Sequence, residues 1–145
     1  VKGIESTLIG KTVPDFTSNK TIDGKDFTFS SLRGKYVLID FWGIWCGPCV
    51  EEMPTVKEYS KKYAGKLAVL GINSGDTKER MVDFLKKNNY NWQQVMSGKD
   101  TDNLVLKFNV AGFPTKFIID PEGKIIQRYL GSGEKAFNKL DELLK

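Results

Sequence analysis

Lys35 to Trp42 (KYVLIDFW) is an almost unbroken apolar run of strand length, rich in β-branched and aromatic residues. Such a run predicts a strand buried on both faces near the centre of a sheet. The period then changes. In CGPCVEEMPTVKEYSKKYAG, residues Val50, Met53, Val56, Tyr59 and Tyr63 recur at helical spacing until Gly65 ends the pattern. A second strand is predicted at LAVLGIN, then a helix over about Thr77 to Asn88 with Met81, Phe84 and Leu85 on one face. WQQVMSG adds a short strand, and TDNLVLKFN a further helix capped by Thr101 or Asp102. TKFIID-PEG-KIIQRYLG reads as a hairpin around a Pro-Glu-Gly turn, and Glu134 to Leu144 as a final amphipathic helix.

The front of the chain differs. VPDFTSNKTIDGKDFTFSSLRG has a turn at Asp23-Gly24 between short extended runs, followed by one helical turn at Ser30-Ser31-Leu32. Strands alternating with helices and closing on a hairpin indicate an α/β sandwich with a mixed sheet. No repeat or linker divides the 145 residues, so one domain over 1–145 is expected. The first residue is Val1, which fits a fragment of a longer exported precursor whose anchor or leader lies outside this sequence.

Composition narrows the function. With 22 Lys+Arg against 18 Asp+Glu the net charge is +4, but the lysines are interleaved with acids as on a solvated helix face, and nothing resembles a nucleic-acid module. No apolar run approaches the roughly 20 residues of a membrane span. The two cysteines, Cys46 and Cys49, close too short a loop to staple the fold, and with no histidine in the chain a four-ligand metal site is not expected. What remains is a dithiol whose value lies in opening and closing.

Two cysteines three apart in a first helical turn have β-carbons roughly 5–6 Å apart, within reach of disulfide geometry. Cys46 would sit at the helix N-terminus, where unpaired amides favour a thiolate and thiols titrate at roughly 3.5–7.5. It is the expected nucleophile, and accessible. Cys49, deeper under Trp45, is expected to resolve the mixed disulfide. Pro48 pre-forms the first turn, Gly47 leaves room beside the sulfur for a partner chain, and Pro54 removes a ladder bond further along. Asp40 is the one carboxylate in the apolar strand. Burial should raise its pKa and let it exchange a proton with Cys49, the alternative being an aspartate satisfied by backbone or a lysine. Pro114, after Phe113, reads on local physics as a trans strand-entry proline.

LIDFWGIWCGPCVEEMP followed by VAGFPTKFIIDPEGKI resembles the thioredoxin superfamily, and IGKTVPDF with DGKDFTFSSLRGKYVLIDFW narrows the resemblance to TlpA/ResA-like thiol-disulfide oxidoreductases of the AhpC/TSA-redoxin group. It runs from about Ile9 to the last helix. It implies a thioredoxin-like three-layer α/β sandwich with an N-terminal β-hairpin and a central strand-helix insert from about Ser74 to Gly98. It also implies catalytic roles for Cys46, Cys49 and Asp40, substrate contacts at Trp45, Gly47, Pro48, Phe113 and Pro114, and a cis Phe113–Pro114 bond, reversing the local reading. No cofactor beyond the Cys46–Cys49 disulfide is implied. The implied partners are disulfide-bearing proteins and an upstream thiol donor such as a membrane thiol transporter, met by a monomer in the bacterial envelope or periplasm, where such proteins serve cytochrome c maturation among other tasks. Gly47-Pro48 resembles reducing thioredoxins. Gly71 stands where thioredoxins carry a lysine near the buried acid, a departure that bears on Asp40.

Two other readings remain. A thiol peroxidase would share the fold, but its Pro-x-x-x-Thr-x-x-Cys arrangement is replaced here by FWGIW before Cys46. A non-catalytic envelope binding module would have no use for the dithiol.

Overall fold

The computed structural model describes residues 9–145; the eight residues before Ile9, part of the expected domain, lie outside the described residues. The apolar run forms strand β3 (Tyr36–Trp42), with every residue from Val37 onward buried. It is the middle strand of a five-stranded sheet ordered β5-β4-β3-β6-β7, where β4 is Leu67–Asn73, β5 Gln93–Met96, β6 Thr115–Ile119 and β7 Ile125–Leu130. β3, β4 and β5 run parallel, whereas β6 is antiparallel to both β3 and β7, giving the mixed sheet. Parallel neighbours need crossovers. Helix α1 (Gly47–Lys62) makes the first and α2 (Lys78–Lys87) the second.

Alternate residues of β3 face opposite layers. Leu38 joins Val56 of α1 and Phe137 and Leu140 of α4 (Lys135–Leu144), while Trp42 joins Cys49 and Met53 of α1 and Met81 and Leu85 of α2. The other face carries Val37, Ile39 and Phe41 against Phe27, Phe29, Leu104 and Phe108. That layer is built from the hairpin of β1 (Thr17–Ser18) and β2 (Phe27–Thr28), the 3-10 turn Phe29–Leu32 and the single-turn helix α3 (Leu104–Lys107). The fold is the expected α/β, thioredoxin-like one, and the segment after Ser74 supplies α2 and β5 as the insert.

One cap differs from expectation. Asn103, not Thr101 or Asp102, caps α3, its side-chain oxygen accepting from the Leu106 N–H at 3.0 Å. Asp102 is engaged elsewhere, paired with Lys20 at 2.7 Å. Thr77, where the second helix was expected to begin, caps α2, accepting from Arg80 N–H at 3.2 Å. Helix α1 continues through Pro54. In the β6–β7 turn, Asp120 accepts from the backbone N–H groups of Glu122 and Lys124, each at 2.9 Å.

Candidate active site

Strand β3 ends at Trp42 and helix α1 begins at Gly47, so the four-residue turn Gly43–Cys46 between them sets where the first sulfur lies. Three contacts fix that turn. The Ile44 N–H donates to Asp76 Oδ2 at 2.8 Å, the Cys46 N–H to the Gly43 carbonyl at 3.1 Å, and the Trp45 indole N–H to the Ser74 carbonyl at 2.7 Å. Asp76 is itself steadied by the Asn73 side-chain amide at 2.8 Å. Gly43 has to be glycine, because a Cβ there would lie 2.2 Å from the Trp45 indole nitrogen and 2.8 Å from the Ser74 carbonyl.

Cys46 occupies the N-cap of α1 and is joined by a disulfide to Cys49, with Cα atoms 5.3 Å apart. The Cys49 N–H points at the Cys46 sulfur at 3.3 Å. No acidic residue in the first turn offsets the positive end of the helix, so its unpaired amides act on Cys46 without local opposition. Pro48 lies in that turn, and a Cβ on Gly47 would meet nothing within 4 Å, so the surface beside the sulfur is open.

The expected contrast in accessibility between the two cysteines is smaller than the sequence suggested. Cys46 is 5% exposed and Cys49 1%, while Trp45 beside them is 56% exposed. Cys46 belongs to the buried cluster of Trp42, Cys49 and Met53 against which Phe113 packs, and the tryptophan at 45 takes the outer position. The Phe113–Pro114 bond is cis. The Phe113 ring packs edge-on against Trp45 at 5.2 Å between centroids and against the Cys46 cluster. Trp45, Cys46, Gly47, Pro48, Cys49, Phe113 and Pro114 therefore gather at one end of the sheet.

Asp40 lies on the same face of β3 as Leu38 and Trp42, beneath α1 and between the residues that pack on Val56 and those that pack on Cys49. It is 1% exposed. Its register partners are Gly71 on β4 and Lys116 on β6. The space over Gly71 is filled by Gln94, whose side-chain oxygen would lie 2.2 Å from a Cβ there and accepts from the Trp42 indole N–H at 2.9 Å. The cation comes from the other side. Lys116 Nζ lies 3.3 Å from Asp40 Oδ1 and 2.5 Å from Glu52 Oε1. The longer contact is an ion pair outside hydrogen-bond geometry, since Asp40 Oδ1 has no hydrogen-bond partner. The second Glu52 oxygen accepts from the Gly133 N–H at 2.7 Å.

Burial pushes the Asp40 carboxyl from an ordinary 3.8 up to about 6, against the pull of the Lys116 ammonium. Burial opposes the charge on Lys116, but the two carboxylates outweigh it and hold its pKa above the usual lysine value. The lysine that the bland reading of Asp40 calls for is present, as an ion pair at 3.3 Å. Lys116, Glu52, Asp76, Gly43 and Gln94 had not been singled out from sequence. The available signal was a lysine inside the strand TKFII, next to an apolar Phe-Ile-Ile run.

Residues 9–128 match the AhpC/TSA family. Similar sequences include the thiol-disulfide oxidoreductase ResA of Bacillus subtilis, 35% identical over 90% of this chain and 72% of the relative. The thioredoxin-like protein YneN of the same organism is 34% identical over 87% of this chain and 74% of its own length. Among solved structures, the thioredoxin domain of a thiol-disulfide oxidoreductase from Bacteroides vulgatus superposes with a TM-score of 0.83 at 25% identity, covering 95% of this chain and 99% of that one. A thiol-disulfide oxidoreductase from Bacteroides fragilis gives 0.79 at 30% identity, covering 92% and 100%.

Proposed function

The chain belongs to the AhpC/TSA family and is a thiol-disulfide oxidoreductase, and from that premise we propose that it reduces protein disulfides outside the cytoplasm through a Cys46/Cys49 cycle. The observation that carries this reading is a cysteine pair bridged at the start of a helix that directly follows the central strand.

In the reduced protein, the Cys46 thiolate attacks one sulfur of a substrate disulfide. The other substrate sulfur leaves as a thiolate and takes up a proton, and a mixed disulfide joins Cys46 to the substrate. Cys49 then gives its proton to Asp40 and attacks Cys46 Sγ. The substrate's second sulfur departs, the Cys46–Cys49 bond forms, and two electrons have passed to the substrate. The disulfide itself is the redox group, with no resident cofactor in the cycle. Trp45, Gly47, Pro48, Phe113 and Pro114 form the surface on which an extended substrate segment lies, its backbone pairing beside Phe113 as an added strand.

An upstream dithiol must return the electrons, and in the envelope a membrane thiol transporter is the donor class that fits. The resemblance to TlpA/ResA-like proteins supports the extracytoplasmic placement and substrates such as apocytochromes. Among the described residues no helix is long and apolar enough to cross a membrane. The working unit is the monomer.

Replacing Cys49 by Ala and exposing the protein to envelope extract tests this directly. Disulfide-linked proteins should accumulate on Cys46 and be released by a reductant, and the Cys46→Ala variant should hold none. Capture on Cys49 alone, or no capture by either variant, would overturn the reading.

A further inference from the structure

Lys116 stands out among the charged groups that lie away from the cysteines. Its side chain is 4% exposed and that of Asp40 2%, whereas Glu52, the third member of the cluster, is 13% exposed. Burying an ammonium is costly unless it is paired, and here two carboxylates from different elements pair it. Pro114 immediately precedes β6, two residues before Lys116, so the strand that leaves the substrate-side proline carries the cation under the helix. The ammonium also lies 5.7 Å from the Phe137 ring centroid, which places α4 over it. On its outer side Lys116 lines a cleft of about 580 Å³ beneath the β7–α4 loop, where the charged neighbours are Arg128, Glu134 and Lys135. On the β4 and β5 side Asp40 meets only the neutral pair Gly71 and Gln94 among its register neighbours.

We propose that Lys116 is a positioning residue of the exchange reaction: from β6 its ammonium keeps the buried Asp40 carboxyl ionised and fixed beneath α1, so that Asp40 accepts the proton Cys49 loses on attacking the mixed disulfide. This rests on the dithiol cycle proposed above. The physical case is one of competing terms. A carboxyl buried as Asp40 is, with a second carboxylate near it, holds its proton tightly. A carboxyl that keeps its proton cannot take another from Cys49. A fixed positive charge at 3.3 Å opposes both effects, and it does so from the strand opposite the one where thioredoxins keep their lysine. When Asp40 takes the proton, the three-residue cluster passes from net charge −1 to 0. Lys116 itself neither gives nor receives a proton.

The test uses the reduced full chain and the aromatic disulfide dithiobis(nitrobenzoate), which releases one chromophore when Cys46 attacks and a second when Cys49 resolves the mixed disulfide. For Lys116→Met, the pH midpoint of the second phase should rise by about one unit, with resolution roughly tenfold slower near neutral pH. The first phase should keep its wild-type rate. Lys116→Gln, which retains hydrogen-bond donors but no charge, should show the same displacement and serves if the Met variant does not fold. In an Asp40→Asn background, Lys116→Met should move the second phase no further. An unmoved second-phase midpoint in the folded variants, or a displacement that persists without Asp40, overturns the role of Lys116 while leaving the dithiol cycle intact. Absence of the first phase in the wild type overturns both.

Discussion

Asp40 and Lys116 face each other across the β3–β6 ladder, carboxylate oxygen and ammonium 3.3 Å apart, both closed off from solvent. Because burial raises the Asp40 pKa from 3.8 to about 6 despite that cation, folding favours the protonated acid. The associated penalty is absent below the unfolded pKa, grows as pH rises between the two values, and is complete above about 6. Replacing Asp40 by Asn removes the titration. The stability of Asp40→Asn relative to wild type should therefore shift in the variant's favour by about 2 kcal/mol between pH 4 and pH 8, read from urea denaturation of the oxidised proteins. A difference that does not vary with pH would contradict the raised pKa.

Gly43 supports the exposed tryptophan. A methyl group at this position would drive into the Trp45 indole and the Ser74 carbonyl, and buried overpacking of this kind costs about 1–3 kcal/mol. Gly43→Ala should displace Trp45 and lower kcat/KM for a protein disulfide on the order of tenfold, the scale of losing one interface anchor. Trp45→Ala should produce a similar fall, and the double variant little more. Steady-state reduction of insulin disulfides provides the measurement.

Asp76 holds the turn before Cys46 from a distance in sequence, accepting from Ile44 N–H and the Asn73 amide. Asp76→Ala leaves both donors without their acceptor, so a loss of about 1–3 kcal/mol in stability is expected. Asp76→Asn keeps one acceptor oxygen and should recover part of it. Denaturant unfolding of the three proteins distinguishes these outcomes.

The parts of this fold governed by local pattern were legible in the sequence. An apolar run gave β3, helical spacing after Cys46 gave α1, and Pro-Glu-Gly marked the last hairpin. The cysteine pair and its place at a helix start were equally clear. Features decided by partners far along the chain were not. Lys116 meets Glu52 across 64 residues, and nothing local says that a lysine in a strand points inward to two acids. The α3 cap was expected at Thr101 or Asp102 but is Asn103, while Asp102 pairs with Lys20, far along the chain. The Gly43–Cys46 turn is held by Asp76 and Ser74, about thirty residues away, and Cys46 packs in a cluster that draws Met81 and Leu85 from a later helix. The cis Phe113–Pro114 bond went against local preference and was reached through the family resemblance.

The central claim is that the sulfur at the N-cap of α1 is the acidic, attacking one. The rate of iodoacetamide alkylation of Cys46 in the Cys49→Ala variant, followed from acid to alkaline pH, tests it most directly. A midpoint below about 7.5 is the expected result. A midpoint near that of free cysteine, about 8.5, would contradict it.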